Sequence, residues 1–95
     1  MAAAAYALKT VMAPITIYTT AWCGICARAK SWLDGRGLAY EEVRVDDDPG
    51  FRARLLELTG RATVPQIVVG GRPIGGYSDL RELDGRGRLD ERLAA

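Results

Sequence analysis

Histidine is absent from this 95-residue sequence, and there are only two cysteines and one phenylalanine. Without histidine, the chain has neither an imidazole base nor a histidine-ligated metal site. Two cysteines are too few for the disulfide framework of a small secreted protein, and no apolar run approaches the roughly 18 residues of a membrane span. The formal net charge is +1 with both signs interspersed, which predicts neither a nucleic-acid-binding nor a membrane-binding surface. We therefore expect a single cytoplasmic domain.

An alanine-rich stretch, residues 1–11, opens the chain. It lacks the basic region that begins a secretory signal peptide. We expect residues 1–11 to form a flexible arm and residues 12–95 to form the folded domain.

The chain does have a pair of cysteines separated by two residues, in the segment 22–26 (Trp-Cys-Gly-Ile-Cys). An alternating apolar strand precedes the pair and a helical pattern follows it, so Cys23 is expected at the start of a helix. On a helix the two Cβ atoms would lie about 5–6 Å apart, close enough that a small local shift opens or closes a disulfide. Free N–H groups of the first turn favour a thiolate at Cys23 and lower its pKa. This pattern predicts a redox-active dithiol, with Cys23 as nucleophile and Cys26 as resolving thiol.

Two other interpretations of the cysteine pair are a structural disulfide and half of a zinc site. A disulfide that closes so short a loop removes little entropy from the unfolded chain. A closed zinc site needs four ligands, and this chain offers two thiolates. We therefore favour the redox interpretation.

Apolar periodicity and turn residues predict alternating strands and helices along the domain. The predicted strands are Ile15–Thr19, Leu38–Val45, Val64–Val69 and Arg72–Ile74, and the predicted helices are Trp22–Leu33, Pro49–Thr59 and Ser78–Leu83, with a short last helix that carries Leu89 and Leu93. This order predicts an α/β fold, with a parallel strand pair joined by a helix and an antiparallel hairpin that turns at Gly70-Gly71. Charges on the second strand and Pro73 on the fourth predict that these two strands lie at the sheet edges.

Three consecutive aspartates, 46–48, stand before Pro49 and raise the question of a metal site. The alternative is a helix start, with Asp48 as N-cap and Pro49 at the first helical position. We favour the helix start, because acidic residues stabilise a helix N-terminus. Gly60 is expected to end that helix. Three apolar residues are expected to face the core: Phe51, Leu55 and Leu58.

Three motifs give the chain a resemblance to the glutaredoxin family over residues 12–93. They are Cys23-Gly24-Ile25-Cys26, Thr63-Val64-Pro65 and Gly75-Gly76-Tyr77-Ser78-Asp79. The segment 22–24 also resembles thioredoxins, but the second and third motifs favour a glutaredoxin. The resemblance implies a thioredoxin-like fold with a four-stranded mixed sheet flanked by helices. It also implies an oxidoreductase that uses glutathione to reduce protein–glutathione mixed disulfides and protein disulfides.

The resemblance further implies where glutathione binds. A cis Pro65 would leave the Val64 backbone free to pair with the cysteinyl part of glutathione, whereas the residues alone leave a trans proline equally open. The glycines and helix start of the third motif suit a carboxylate, and Asp79 suits an ammonium group; the alternative is that Ser78 and Asp79 only cap a helix. Arg61 would bind the glycine carboxylate of glutathione. The alternative is an exposed arginine at a helix end without a ligand. The implied set is Arg61, Thr63, Val64, Pro65, Gly76, Tyr77, Ser78 and Asp79.

The chain departs from the family pattern near the cysteines. Many relatives have proline and tyrosine in place of Gly24 and Ile25, lysine in place of Thr20, and a third cysteine in place of Tyr77. Some relatives without that proline hold a [2Fe–2S] cluster, so Gly24 suggests an alternative function as an iron–sulfur carrier or sensor. The four ligands would come from Cys23 of two copies and from two glutathione molecules. Otherwise we expect a monomer without a metal.

Overall fold

The computed structural model describes residues 12–94, so the predicted arm at residues 1–11 lies outside the described residues. The elements are β1 (Ile15–Thr19), α1 (Gly24–Gly35), β2 (Glu41–Arg44), α2 (Phe51–Thr59), β3 (Gln66–Val69), β4 (Arg72–Gly75), α3 (Tyr77–Gly85) and α4 (Leu89–Leu93). Among these residues, no helix is both long enough and apolar enough to cross a membrane.

The strands form one mixed sheet in the order β2-β1-β3-β4. β1 runs parallel to β2 through α1, while β1 with β3 and β3 with β4 are antiparallel. The predicted fold class is therefore confirmed. Because β1 and β3 are antiparallel, with Tyr18 opposite Gln66, the end of β1 and the start of β3 lie at the same end of the sheet. The segments that follow Thr19 and precede Gln66 therefore emerge side by side.

The hairpin between β3 and β4 turns at Gly70 and Gly71, whose φ angles are 58° and 78°. Two left-handed residues are what a type I′ turn requires, so this prediction is confirmed. β2 and β4 are the edge strands, as their charges and Pro73 predicted. At the other end of the fold, Met12 bridges to Ala94, and the Ala13 N–H donates to the Leu93 carbonyl at 2.8 Å.

The core lies between one face of the sheet and the helices α1, α3 and α4. Side chains alternate along β1, so that Ile15 and Ile17 point inward and are buried. The same period of two buries Ile67 and Val69 on β3. The core cluster consists of Ile15, Ile17, Ala29, Leu33, Ile67, Val69, Leu80, Leu89 and Leu93.

The first helix begins later than the sequence predicted. Trp22 was expected within the helix but has a left-handed backbone, with φ at 59°. This conformation is rare for a bulky residue and cannot belong to a right-handed helix. The helix therefore begins at Gly24, after the N-cap Cys23, and runs to Gly35 rather than to Leu33.

Other element boundaries also differ from the predictions. β2 is limited to Glu41–Arg44 instead of Leu38–Val45, because its pairing with β1 begins only at Thr16 opposite Glu41. β3 begins at Gln66 instead of Val64, after the turn at Pro65. β4 reaches Gly75, which pairs with Ile67 across a register shift. α3 spans Tyr77–Gly85 instead of Ser78–Leu83, and its N-cap is Gly76.

The start of α2 was predicted wrongly. Its N-cap is Gly50, not Asp48, and its first residue is Phe51, not Pro49. The Asp48 carboxylate instead accepts the Gly50 N–H at 3.0 Å and pairs with Arg54 at 2.9 Å. The predicted end of α2 is confirmed, since Gly60 is its C-cap with φ at 83°.

The inward face of α2 is narrower than predicted. Leu55 is 2% exposed and Phe51 is half-buried, but Leu58 is 52% exposed, so its predicted burial is wrong. Phe51 and Leu55 line one cavity with Tyr18, whose side chain lies on the sheet face opposite to Ile15 and Ile17. The stabilisation of α2 therefore depends chiefly on Leu55.

Leu55→Ala should lower the free energy of unfolding by about 2 kcal/mol, because it removes buried methyl groups and leaves a cavity. Leu58→Ala, the same change on the same helix, should cost about 0.5 kcal/mol or less. Urea denaturation of both variants measures the difference. Equal losses of unfolding free energy at the two positions would contradict the difference in burial between Leu55 and Leu58.

Candidate active site

The two cysteines form a disulfide at the N-terminus of α1, with their Cα atoms 5.2 Å apart. Cys23 is the N-cap, and its Sγ accepts the Cys26 backbone N–H at 3.1 Å. Cys26 is 2% exposed and lies beneath the helix, whereas Cys23 remains partly accessible. The sulfurs are thus unequal: one is open to solvent and meets a helix N–H, and the other is buried. A thiolate at Cys23 would be favoured by that N–H and by the helix dipole.

Two apolar side chains flank Cys23 and point away from the protein. The Trp22 side chain is fully exposed to solvent, and Ile25 is 54% exposed. Exposed apolar side chains grouped at one place can mark a contact surface. Both lie within two residues of the accessible sulfur.

The segment 63–65 lies beside the cysteine loop, because it leads into β3 at the sheet end where β1 terminates. The Val64–Pro65 peptide bond is cis, as the family resemblance implied. Thr63 is exposed, and its Oγ1 accepts a hydrogen bond at 3.3 Å from the buried Gln66 side chain. Gln66 was not predicted as a site residue; its position directly after the Thr63–Pro65 motif was the available signal.

Gly76 and Asp79 form a compact unit next to this segment. A Cβ placed on Gly76 would lie 3.5 Å from the Pro65 carbonyl oxygen, so the two motifs are in contact. The Asp79 carboxylate accepts the Gly76 N–H at 2.9 Å and the Arg61 guanidinium at 2.8 Å. The structure therefore brings Arg61, Pro65, Gly76 and Asp79 together. Tyr77 is half-buried and Ser78 exposed in the first turn of α3.

These contacts hold the pKa of the Asp79 carboxyl below its ordinary value. The Gly76 N–H is the principal cause, and the Arg61 guanidinium adds to it, while partial burial acts in the opposite direction. The carboxylate is consequently ionised at neutral pH and already paired with a cation. Both contacts are made to Oδ2, so among the contacts of the described residues Oδ1 is the oxygen left for a ligand ammonium.

Asp79→Asn should remove part of the acid sensitivity of the fold. Because the folded-state pKa of Asp79 lies below the unfolded value, its stabilisation is complete above about pH 4 and disappears as the pH falls further. For this half-exposed pair the difference at pH 7 should be about 1 kcal/mol or less. Urea midpoints measured from pH 7 to pH 3 should converge for the parent and the variant at low pH. Parallel curves would show that Asp79 contributes nothing to the pH dependence.

A groove of about 570 Å³ opens on the other side of the cysteines, towards β2. Cys23, Cys26 and Lys30 line it from α1, and Glu42 and Arg44 line it from β2. Lys30 and Glu42 were not predicted as site residues. The spacing of Lys30, four residues after Cys26 and seven after Cys23, was the available signal.

The aspartates 46–48 and the cysteines do not combine into a metal site. Arg44 pairs with Asp46 at 2.8 Å and holds the pKa of that carboxyl at about 2. Within residues 12–94, no cluster of three or more histidine, cysteine, aspartate or glutamate residues is arranged to hold a metal ion. A cluster shared between two copies of the chain stays a prediction from the sequence.

Comparison with known proteins places these features in one family. The family model described as Glutaredoxin matches residues 15–74. A glutaredoxin of Pseudomonas aeruginosa is 45% identical over 84 residues, which cover 88% of this chain and 100% of that protein. Glutaredoxin 3 of Escherichia coli is 42% identical over 82 residues, which cover 86% of this chain and 99% of that protein.

Solved structures agree with the sequence matches. The crystal structure of a buckwheat glutaredoxin–glutathione complex superposes with a TM-score of 0.77 at 31% identity. The superposition covers 97% of this chain and 87% of the buckwheat chain. The redox-active cysteine pair, the cis proline and the Gly76–Asp79 unit therefore occur in a chain that resembles these proteins over nearly its whole described length.

Proposed function

This chain belongs to the glutaredoxin family and is a thiol-disulfide oxidoreductase, and from that premise we propose that glutathione is its electron donor. We further propose that protein–glutathione mixed disulfides and protein disulfides are its substrates. The observation that carries the proposal is the unequal cysteine pair at the start of α1: Cys23 is accessible and meets the Cys26 N–H at 3.1 Å, and Cys26 is buried.

Deglutathionylation requires only the exposed sulfur. The Cys23 thiolate attacks the glutathione sulfur of a mixed disulfide, and the substrate protein leaves as a thiolate that takes up a proton. The glutathione thus bound to Cys23 is attacked by the thiolate of a second glutathione, which yields glutathione disulfide and restores Cys23. The helix N-terminus stabilises negative charge on Cys23 both before attack and when it is the leaving group.

Protein disulfides require both cysteines. Cys23 forms a mixed disulfide with one substrate sulfur, and Cys26 then attacks Cys23 and releases the reduced substrate. The product is the Cys23–Cys26 disulfide seen in the structure. Two glutathione molecules reduce it, one forming a mixed disulfide and the second releasing glutathione disulfide.

We assign the glutathione site to the surface formed by Arg61, the segment 63–65 and the start of α3. The Val64 backbone would pair with the cysteinyl unit, since it lies next to a cis proline and outside the β3 ladder. Asp79 would bind the γ-glutamyl ammonium, and Arg61 would exchange its bond to Asp79 for a carboxylate of the ligand. Gly76, Tyr77 and Ser78 would face the γ-glutamyl carboxylate at the start of α3.

Whether glutathione is the electron donor can be tested by replacing it with a shorter thiol. Turnover of a glutathionylated peptide should be at least about tenfold faster with glutathione than with cysteinylglycine, which carries the same thiol but lacks the γ-glutamyl unit. The rate with dithiothreitol controls for general thiol reactivity. Equal rates with the two physiological thiols would contradict a glutathione site. Use of glutathione also implies a reducing compartment, and we propose the cytoplasm, with the protein acting as a monomer.

A further inference from the structure

The groove between α1 and β2 contains a cation that the proposed mechanism does not use. Lys30 lines this groove together with both cysteines. Its Nζ donates to Glu42 Oε2 at 2.9 Å. The same oxygen accepts the hydroxyl of Thr19 at 2.6 Å, and Thr19 is fully buried at the end of β1. A buried hydroxyl therefore fixes Glu42, and Glu42 fixes the ammonium group in the groove.

The helix geometry directs Lys30 towards the cysteines. Residues 23, 26 and 30 are separated by three and four positions, so they lie along one face of the helix. Helical side chains lean towards the N-terminus of their helix, and a lysine reaches back over more than one turn. Lys30 and both cysteines line the same groove, so the lysine side chain and the accessible Cys23 border one space.

Two of the other cations near the cysteines have close acidic partners. On β2, Arg44 is paired with Asp46 at 2.8 Å. On the side of β3 and α3, Arg61 is paired with Asp79 at 2.8 Å. Lys30 is paired as well, and the Glu42 oxygen that it contacts also accepts the hydroxyl of Thr19. The residue three positions before Cys23 is the uncharged Thr20.

We propose that the Lys30 ammonium stabilises the Cys23 thiolate of the reduced protein. Lys30 does not touch the reacting sulfur atoms in this role; it is a positioning residue that acts through the field in the groove. Glu42 holds the ammonium in place and partly neutralises it, which keeps the effect modest. The inference rests on the proposed function, because it concerns the reactivity of Cys23 as nucleophile.

The test is the titration of Cys23 in the Cys26→Ser protein, followed by thiolate absorbance and by the rate of alkylation against pH. Lys30→Met keeps the length of the side chain and removes its charge, and it should raise the pKa of Cys23 by about half a unit. Lys30→Glu should raise it by about one unit, because the charge is reversed. Lys30→Arg should leave it within about 0.2 units of the parent. The difference between the parent and Lys30→Met should shrink in 1 M salt.

Arg28→Met is the matched control on the same helix. Arg28 lies on a different groove, with Trp32 and Tyr77, so its loss should not change the titration of Cys23. An unchanged pKa in both Lys30→Met and Lys30→Glu overturns the inference, and so does an equal shift in Arg28→Met. Thermal unfolding confirms that each variant is folded, and Lys30→Glu carries the test if Lys30→Met does not fold.

Failure of this inference differs from failure of the proposed function. If Lys30 has no effect while the parent Cys23 titrates well below a free thiol and glutathione supports turnover, only the role of Lys30 is wrong. If the parent Cys23 titrates like a free thiol and glutathione gives no advantage, the proposed function itself is wrong.

Discussion

Cys23→Ser is expected to lose about 1000-fold or more of the deglutathionylation rate. A serine hydroxyl is not ionised at neutral pH and forms no disulfide, so neither attack on the mixed disulfide nor storage of glutathione on the enzyme can occur. The chain contains only one other cysteine, and Cys26 is 2% exposed. It cannot replace Cys23 without opening the first turn of α1. Measurement of turnover with a glutathionylated peptide checks the loss.

Cys26→Ser is the matched control for that variant. It should retain deglutathionylation within about threefold and lose most of the reduction of protein disulfides, because only the second reaction needs an internal thiol to release the substrate. The two substrates measured side by side separate the roles. Retained activity in Cys23→Ser, or loss of deglutathionylation in Cys26→Ser, would reverse the assignment made from burial.

Gly75→Ala should lower the free energy of unfolding by about 3 kcal/mol and weaken glutathione binding. Gly75 is buried at the end of β4 with φ at 120°, a conformation that residues with a side chain rarely adopt. A Cβ there would lie 2.5 Å from Asp79 Oδ2 and 2.8 Å from its Cγ. The carboxylate must then move and lose its bond to the Gly76 N–H. Thermal unfolding should show a decrease in Tm of roughly 12–24 °C.

Gly85→Ala gives the comparison for Gly75→Ala. Gly85 is the last residue of α3, and a Cβ at this position meets no atom within 4 Å. Alanine favours a helix over glycine, so this variant should be as stable as the parent or more stable by up to about 1 kcal/mol. A Gly75→Ala protein that is as stable as Gly85→Ala would show that Asp79 is not tightly packed against β4.

Local patterns predicted the order of the elements but not all of their ends. Three predicted features depend only on neighbours in the sequence and agree with the structure. They are the strand Ile15–Thr19, the turn at Gly70-Gly71 and the helix end at Gly60. The start of α1 could not be predicted, because the left-handed backbone of Trp22 has no signature in the sequence. The exposure of Leu58 was likewise hidden, since helical spacing shows which residues share a face but not how much of that face the sheet covers.

In the candidate site, too, features set by local sequence were predicted and contacts between distant residues were not. The cysteine pair and the cis Pro65 were predicted, the first from spacing and the second from the resemblance. The Arg61–Asp79 pair joins residues that are 18 positions apart, and the Thr19–Glu42 bond joins residues 23 apart. Such contacts are set by the way α3 and β2 pack against the rest of the fold, which no local pattern specifies.

The bridge between Met12 and Ala94 gives the fold a further property. The two boundaries of the described domain are neighbours, and they lie at the end of β1 opposite to the one that leads to Cys23. A host protein could therefore carry this domain as an insert in a surface loop, because its own chain would leave and re-enter at almost the same point. A reporter or partner protein fused at this boundary would lie at the end of the domain opposite to the redox-active cysteines.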